Sequence, residues 1–158
     1  MEESEYNRIT KLYLDVVYRT ALNCCKNPYD AEDVVQNTFM KLLEYQQTFQ
    51  DDEHIRKWLI RVAVNESHSL WRSFWKRKIT PLDEITAAPE FSIPENSELF
   101  YAVQKLPPRY RETIHLYYYE GYSIREISDL LRISEGAIRT RLMRARSKLK
   151  QELKGAWK

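Results

Sequence analysis

Apolar side chains recur at three- and four-residue steps through most of this chain, the spacing of helices that bury one face. Tyr6, Ile9, Tyr13, Val16, Val17, Thr20 and Cys24 form such a stripe and predict a helix over residues 5–26. Asn27-Pro28 stops it. Asp30 is then placed to accept the orphan amide hydrogens of a second helix over 31–47. In that helix Ala31, Val34, Thr38 and Leu42 make one apolar line, which Val35, Phe39 and Leu43 widen. Asp33, Asn37, Met40 and Glu44 share its other face. A third helix is expected over 54–78, with Ile55, Trp58, Leu59 and Val62 inward. With Val62 so placed, Val64, Ser67, Trp71 and Trp75 point away from the core. The stretch 79–97 loses periodicity and carries Pro81, Pro89 and Pro94, so it reads as a linker. Beyond it, helices are predicted over 98–106, 109–119, 124–131 and 135–150, with Pro107-Pro108 and Gly121 as breaks. No alternating strand pattern of useful length occurs. The fold class is therefore all-α: two small helical domains, 1–78 and 98–158, joined by the linker 79–97.

Composition agrees with that pattern and removes several function classes. With 43% hydrophobic and 30% charged residues, the 158-residue chain has enough apolar material for a core. Only three glycines occur, which leaves almost no room for a glycine-rich phosphate loop. The two cysteines are adjacent, at Cys24 and Cys25, and cannot build a secreted disulfide framework. His54, His68 and His115 lie far apart and make no metal pattern with them. No nucleophile–base arrangement is evident, so neither an enzyme, a cofactor nor a metal site is expected. No apolar run has the length of a membrane span and the acidic start is unlike a signal peptide, so a cytoplasmic location is expected.

The net charge of +2 hides its distribution. Residues 1–53 have five Lys/Arg against eleven Asp/Glu, and 54–78 have seven against one. Residues 79–98 have five acids and no Lys or Arg, and 99–158 have thirteen basic residues against six acidic ones. Two separate basic blocks give the local positive potential that a nucleic-acid surface needs.

The second basic block carries a specific arrangement. Ser123 and Glu126 are spaced as a capping box, and Ser134 is placed to cap the helix that follows. Two short helices joined by a three-residue turn form a helix-turn-helix, whose second helix enters the major groove. On that helix Ile138, Leu142, Ala145 and Leu149 face inward. Glu135, Gly136, Arg139, Thr140 and Met143 fall opposite, near the end where base edges are read. Arg144, Arg146 and Lys148 flank them and suit phosphates, while Arg141 is placed either to pair with Glu126 or to reach DNA.

These residues resemble a known family. The segment Leu106-Pro107-Pro108-Arg109-Tyr110-Arg111-Glu112, the run from Tyr119-Glu120-Gly121-Tyr122 through Ile127, and Ile133 to Leu142 are similar to region 4 of the extracytoplasmic-function sigma factors. Asp30-Ala31-Glu32-Asp33-Val34-Val35-Gln36-Asn37-Thr38-Phe39 resembles their region 2.2, and Arg56-Lys57-Trp58-Leu59-Ile60-Arg61-Val62-Ala63-Val64-Asn65 their regions 2.3 and 2.4. The resemblance implies a dissociable subunit of RNA polymerase that reads −10 and −35 promoter elements. It implies Asp33, Gln36 and Asn37 as contacts to the clamp helices of the largest catalytic subunit, although Asn37 stands where the family usually carries an acid. For the melted −10 strand it implies Arg61, Asn65, His68, Trp71, Arg72 and Trp75, with the loop 48–53 near a flipped base. Exposed aromatic rings among cations suit that task, since a stacked base gains about 1–3 kcal/mol. The implied partners are core RNA polymerase, promoter DNA and an anti-sigma factor. The acidic linker, with Asp83, Glu84, Glu90 and Glu95, is expected to mimic nucleic acid where RNA leaves the enzyme.

The residues alone leave two other functions open. A helix-turn-helix regulator working without polymerase would bind duplex DNA tightly by itself. A protein-binding adaptor would show no base preference at all.

Overall fold

The computed structural model describes residues 1–76 and 97–156, and all regular structure among them is helical. The chain divides into two compact units, Met1–Pro89 and Glu90–Lys158. The expected linker lies outside the described residues, apart from Ser97, which opens a helix.

In the first unit, α1 (Glu3–Cys25), α2 (Pro28–Glu44) and α3 (Asp52–Lys76) each pack against the other two. The core joins Ile9, Tyr13, Val17 and Ala21 of α1, Ala31, Val34, Phe39 and Leu42 of α2, and Ile55, Leu59 and Ala63 of α3. The stripes predicted for the first two helices are thus buried, with two corrections. Asn27, not Asp30, caps α2: its Oδ1 accepts the Tyr29 amide at 2.8 Å and the Asp30 amide at 3.4 Å. Pro28 takes the first helical position, where its missing N–H costs nothing. The same dipeptide therefore ends one helix and begins the next, and Lys26 at φ 59° makes the turn between them. Leu43 is not part of the apolar line; it is 52% exposed.

The third helix also sits at a different rotation from the one expected. Val64 and Ser67 are buried rather than outward, and Val62 is only half-buried. The reason is that α1 and α2 both cover α3, so Ile60, Val64 and Ser67 are buried beside the Leu59–Ala63 line. A helix covered from two sides buries more than one stripe, and a single inward residue cannot set its phase. The Ser67 hydroxyl is satisfied within the helix by donating to the Ala63 carbonyl at 2.8 Å.

The second unit consists of α4 (Ser97–Gln104), α5 (Pro108–Ile114), a π-helical turn (His115–Tyr119), α6 (Ile124–Leu131) and α7 (Glu135–Ala156). The helix expected over 109–119 changes to π geometry at His115, where the Glu120 amide reaches back to the His115 carbonyl at 3.0 Å. The extra residue leaves His115 and Leu116 buried while Tyr118 and Tyr119 are exposed. Gly121 then turns at φ 74°, a conformation a side chain would strain. The α6 capping box is complete: Ser123 Oγ accepts the Glu126 amide and Glu126 Oε1 accepts the Ser123 amide, both at 3.1 Å. Arg132 at φ 59° closes α6 and begins the turn into α7. Ser134 Oγ accepts the Ala137 amide at 3.1 Å, the cap its position predicts. Ile127, Ile138, Leu142 and Ala145 are fully or almost fully buried, so α6 is locked against α7.

Candidate polymerase and nucleic-acid interfaces

On α2 the face away from the core is not simply polar. Asp33, Gln36 and Asn37 are all exposed, as predicted. Beside them Tyr29 is 68%, Met40 58% and Leu43 52% exposed. Helical spacing puts the six within an arc of roughly 120°. Three large apolar side chains left in water among neutral and acidic groups are the mark of a docking surface. Tyr29 and Leu43 were not legible as part of it: one lies in the first turn, ahead of the start expected for this helix, and the other completes an apolar spacing. Lys41 on the flank of α2 forms an ion pair with Glu66 of α3, fixing the two helices at this level.

On α3, Arg61, Asn65 and Arg72 are exposed, His68 is half-buried, and Trp71 is 39% exposed. Helical spacing lines up Arg61, Asn65, His68 and Arg72, with Trp71 bordering them. Trp75 belongs to the same helix, but its side chain lies outside the described residues. At the start of α3 the chain folds back as an aromatic cluster. The Tyr45 and Phe49 rings stack with centroids 4.3 Å apart, and Trp58 meets them at 4.9 and 5.7 Å. Trp58 is half-buried there, so it belongs to this loop as much as to the core.

In the second unit, Glu135, Gly136, Arg139, Met143, Arg144 and Lys148 are exposed along α7, and Thr140 and Arg141 are half-buried. A side chain at Gly136 would meet only Ser134 Oγ, at 3.9 Å, so the backbone there is open to close approach. Two arginines of the set are held by tyrosines. The Tyr110 hydroxyl accepts a hydrogen bond from Arg109 at 3.4 Å, and the guanidinium groups of Arg109 and Arg144 beside it pull the phenol below its usual range. The Arg109 guanidinium also lies 4.6 Å from the centre of the Tyr110 ring. Arg146 Nε donates to the Tyr118 hydroxyl at 2.6 Å, and its guanidinium lies over the Tyr117 and Tyr118 rings. This draws Arg146 to the edge of an apolar groove of about 690 Å³, floored by Leu99, Val103, Ile114, Leu149 and Leu153 and edged by Lys150 and Lys154. The groove was not visible in the sequence, because it depends on the rotation that the π turn gives to Tyr118 and Tyr119.

A helical unit with an apolar docking face, followed by a capped helix-turn-helix with a basic reading helix, defines a DNA-binding protein that also engages a protein partner. Residues 9–77 match the family described as Sigma-70 region 2, and residues 97–149 match Sigma-70, region 4. The ECF RNA polymerase sigma factor SigM of Bacillus subtilis is 30% identical over 152 residues, covering 91% of this chain and 92% of that protein. SigW of the same organism is 28% identical, with 97% and 91% covered. Among solved structures, the sigma factor RpoE in complex with the anti-sigma factor NepR, from Bartonella quintana, aligns at a TM-score of 0.74. It shares 26% sequence identity, with 95% of this chain and 97% of that chain covered. The chain belongs to the extracytoplasmic-function sigma factors and is a promoter-specificity subunit of RNA polymerase.

Proposed function

We propose that residues 1–78 hold core polymerase through the exposed face of α2 and capture the melted −10 strand through α3, and that residues 98–158 read the −35 duplex through α7. The stretch 79–97 is the connection between them. The observation that carries this division is the α2 face, since a helix-turn-helix by itself would equally suit a free-standing regulator. Asp33, Gln36 and Asn37 supply directional contacts there, and Tyr29, Met40 and Leu43 supply apolar area that burial against clamp helices would remove from water. Arg61, Asn65, His68, Trp71, Arg72 and Trp75 form the −10 set, in which rings stack on bases and cations meet phosphates. The chain supplies binding and orientation and no catalytic step.

In the −35 set, Glu135, Gly136, Arg139, Thr140 and Met143 sit at the reading end of α7, and Arg144, Arg146 and Lys148 flank them. Two substitutions separate base reading from phosphate contact. Arg139→Ala is expected to cost about 1–3 kcal/mol on the specific duplex and relax preference at one or two positions. Lys148→Ala is expected to weaken all sequences alike and lower the salt slope by about one. Fluorescence anisotropy on specific and random duplexes at several salt concentrations measures both. Equal losses on the two duplexes for Arg139→Ala would remove it from the base readers.

We further infer control by an anti-sigma factor, supported by the neighbour solved in complex with one. The groove beside α7 is suited to an acidic amphipathic helix of such a partner, with an apolar floor and Arg146, Lys150 and Lys154 at its edge. The site of action is the cytoplasm, where polymerase works; among the described residues no helix is long and apolar enough to cross a membrane.

A further inference from the structure

The turn between α2 and α3 is closed by one imidazole. The Gln50 amide donates to His54 Nδ1 at 3.1 Å, and the His54 amide donates to Asp51 Oδ1 at 2.8 Å. The same ring meets Phe49 edge-on with centroids 5.2 Å apart, and Phe49 is the ring stacked on Tyr45. Beneath this turn α1 holds the start of α3 in place. The Tyr13 hydroxyl donates to the Asp52 carbonyl at 3.0 Å, and Arg8 pairs with the Asp52 carboxylate at 3.1 Å. The start of α3 is therefore held from α1, and the Gln50 amide is held by the His54 ring.

A ring nitrogen that accepts a hydrogen bond carries no proton, so the neutral His54 ring keeps its proton on Nε2. Adding a proton at Nδ1 turns that acceptor into a donor aimed at the Gln50 N–H, and the contact becomes repulsive. Helical spacing also puts His54 on the same side of α3 as Arg61, Asn65, His68 and Arg72, within an arc of roughly 60°. The turn that His54 closes thus stands at the head of the surface assigned to the melted strand.

We propose that His54 is a positioning residue for strand capture: its Nδ1 acceptor holds residues 49–51 in the shape that receives an unpaired base. The proposal rests on the assignment of the α3 face to the −10 strand. The charged and titratable groups next to His54 along the chain are Asp51, Asp52, Glu53, Arg56 and Lys57; Arg8 and Tyr13 of α1 contact Asp52, and Tyr45 stacks on Phe49. Asp52 is paired with Arg8, and Glu53 with Arg56.

The test uses the full chain with core polymerase, on a promoter recovered with this protein from a randomised library. Permanganate reactivity of unpaired thymines reads strand capture, and binding of an isolated −35 duplex reads the second unit. His54→Asn keeps an acceptor oxygen in the place of Nδ1 and does not titrate. His54→Phe keeps a ring against Phe49 and removes the acceptor. At fixed pH, His54→Asn is expected to melt within about twofold of wild type, because its oxygen still accepts the Gln50 amide. His54→Phe is expected to melt about tenfold less than wild type, with −35 binding unchanged in every variant. Full melting by His54→Phe, or a loss in His54→Asn as large as in His54→Phe, would overturn the proposal. Should His54→Phe fail to fold, His54→Ala, which also lacks the acceptor, is read in its place. Arg61→Ala and Trp71→Ala keep the two levels apart. If both leave melting intact, the α3 assignment fails; if they reduce it and the His54 variants do not, only the role of His54 fails.

Discussion

A chain carrying Met40→Glu and Leu43→Glu together is expected to bind core polymerase at least about tenfold more weakly than wild type. Fully burying a large apolar side chain is worth about 1.5–3 kcal/mol; each of these is already about half covered, so losing both costs about 1.5–3 kcal/mol before any cost of burying the new charges. Both positions are more than half exposed, and neither contributes to the core that Val34, Phe39 and Leu42 form from the same helix. The unfolding midpoint should therefore stay within a degree or two of wild type, roughly the effect of a surface substitution. Titrating labelled protein with core enzyme, alongside a thermal melt, reads both quantities. Unchanged affinity would remove the α2 face from the polymerase interface. A large fall in melting temperature would mean that the two side chains support the fold instead.

Ile138→Ala is expected to remove about 2–5 kcal/mol from the stability of the second unit, enough to cost most of its −35 binding. Ile138 has no solvent exposure and lies in the first turns of α7, where Ile127 and Leu142 are also buried. It touches the reading face only through the helix it anchors. The same substitution should leave core binding through α2 intact, because α2 belongs to the other unit. Denaturant unfolding followed by circular dichroism gives the stability loss, and anisotropy on duplex DNA gives the binding loss. A stability change well below 1 kcal/mol would show that α6 and α7 are not held together by this contact.

The helices of this protein were legible wherever one face alone is buried. Ile9, Tyr13 and Val17 of α1 and Ala31, Val34 and Leu42 of α2 are spaced for a single apolar stripe and are buried as spaced. The capping box of Ser123 and Glu126 was equally readable, because its partners are three residues apart and need no tertiary contact. Legibility ended where a second surface enters. Two flanking helices cover α3, so Val64 and Ser67 are buried where a one-sided pattern puts them in solvent. Leu43 has the spacing of a core residue but lies on the surface, since exposure for a partner leaves no mark in hydrophobic periodicity. The π turn at His115–Tyr119 was likewise silent, because the i to i+5 hydrogen bond depends on how α5 meets its neighbours rather than on a motif. The groove and the pairing of Arg146 with Tyr118 follow from it.

Of the residues assigned to binding, the reading face of α7 was the most accessible to sequence reasoning, since Ile138, Leu142 and Ala145 fix the inward direction without ambiguity. The −10 face was less so. Its polar members Arg61, Asn65 and Arg72 emerge exposed although Asn65 lies only about 60° from Val62 on the helix, because the observed core line of Leu59 and Ala63 is on the opposite side. The contribution of His54 was hidden, because it depends on an acceptor turned toward a backbone amide four residues earlier.

Transcription from a random promoter library by purified core RNA polymerase, with and without the protein, tests most directly whether it gives the enzyme its promoter specificity. Start sites that arise only when the protein is added, sharing two upstream elements whose −35 part is altered by Arg139→Ala, are the expected result. Start sites that are the same with and without it, together with tight sequence-specific duplex binding by the protein alone, would contradict it and leave a DNA-binding regulator that works without polymerase.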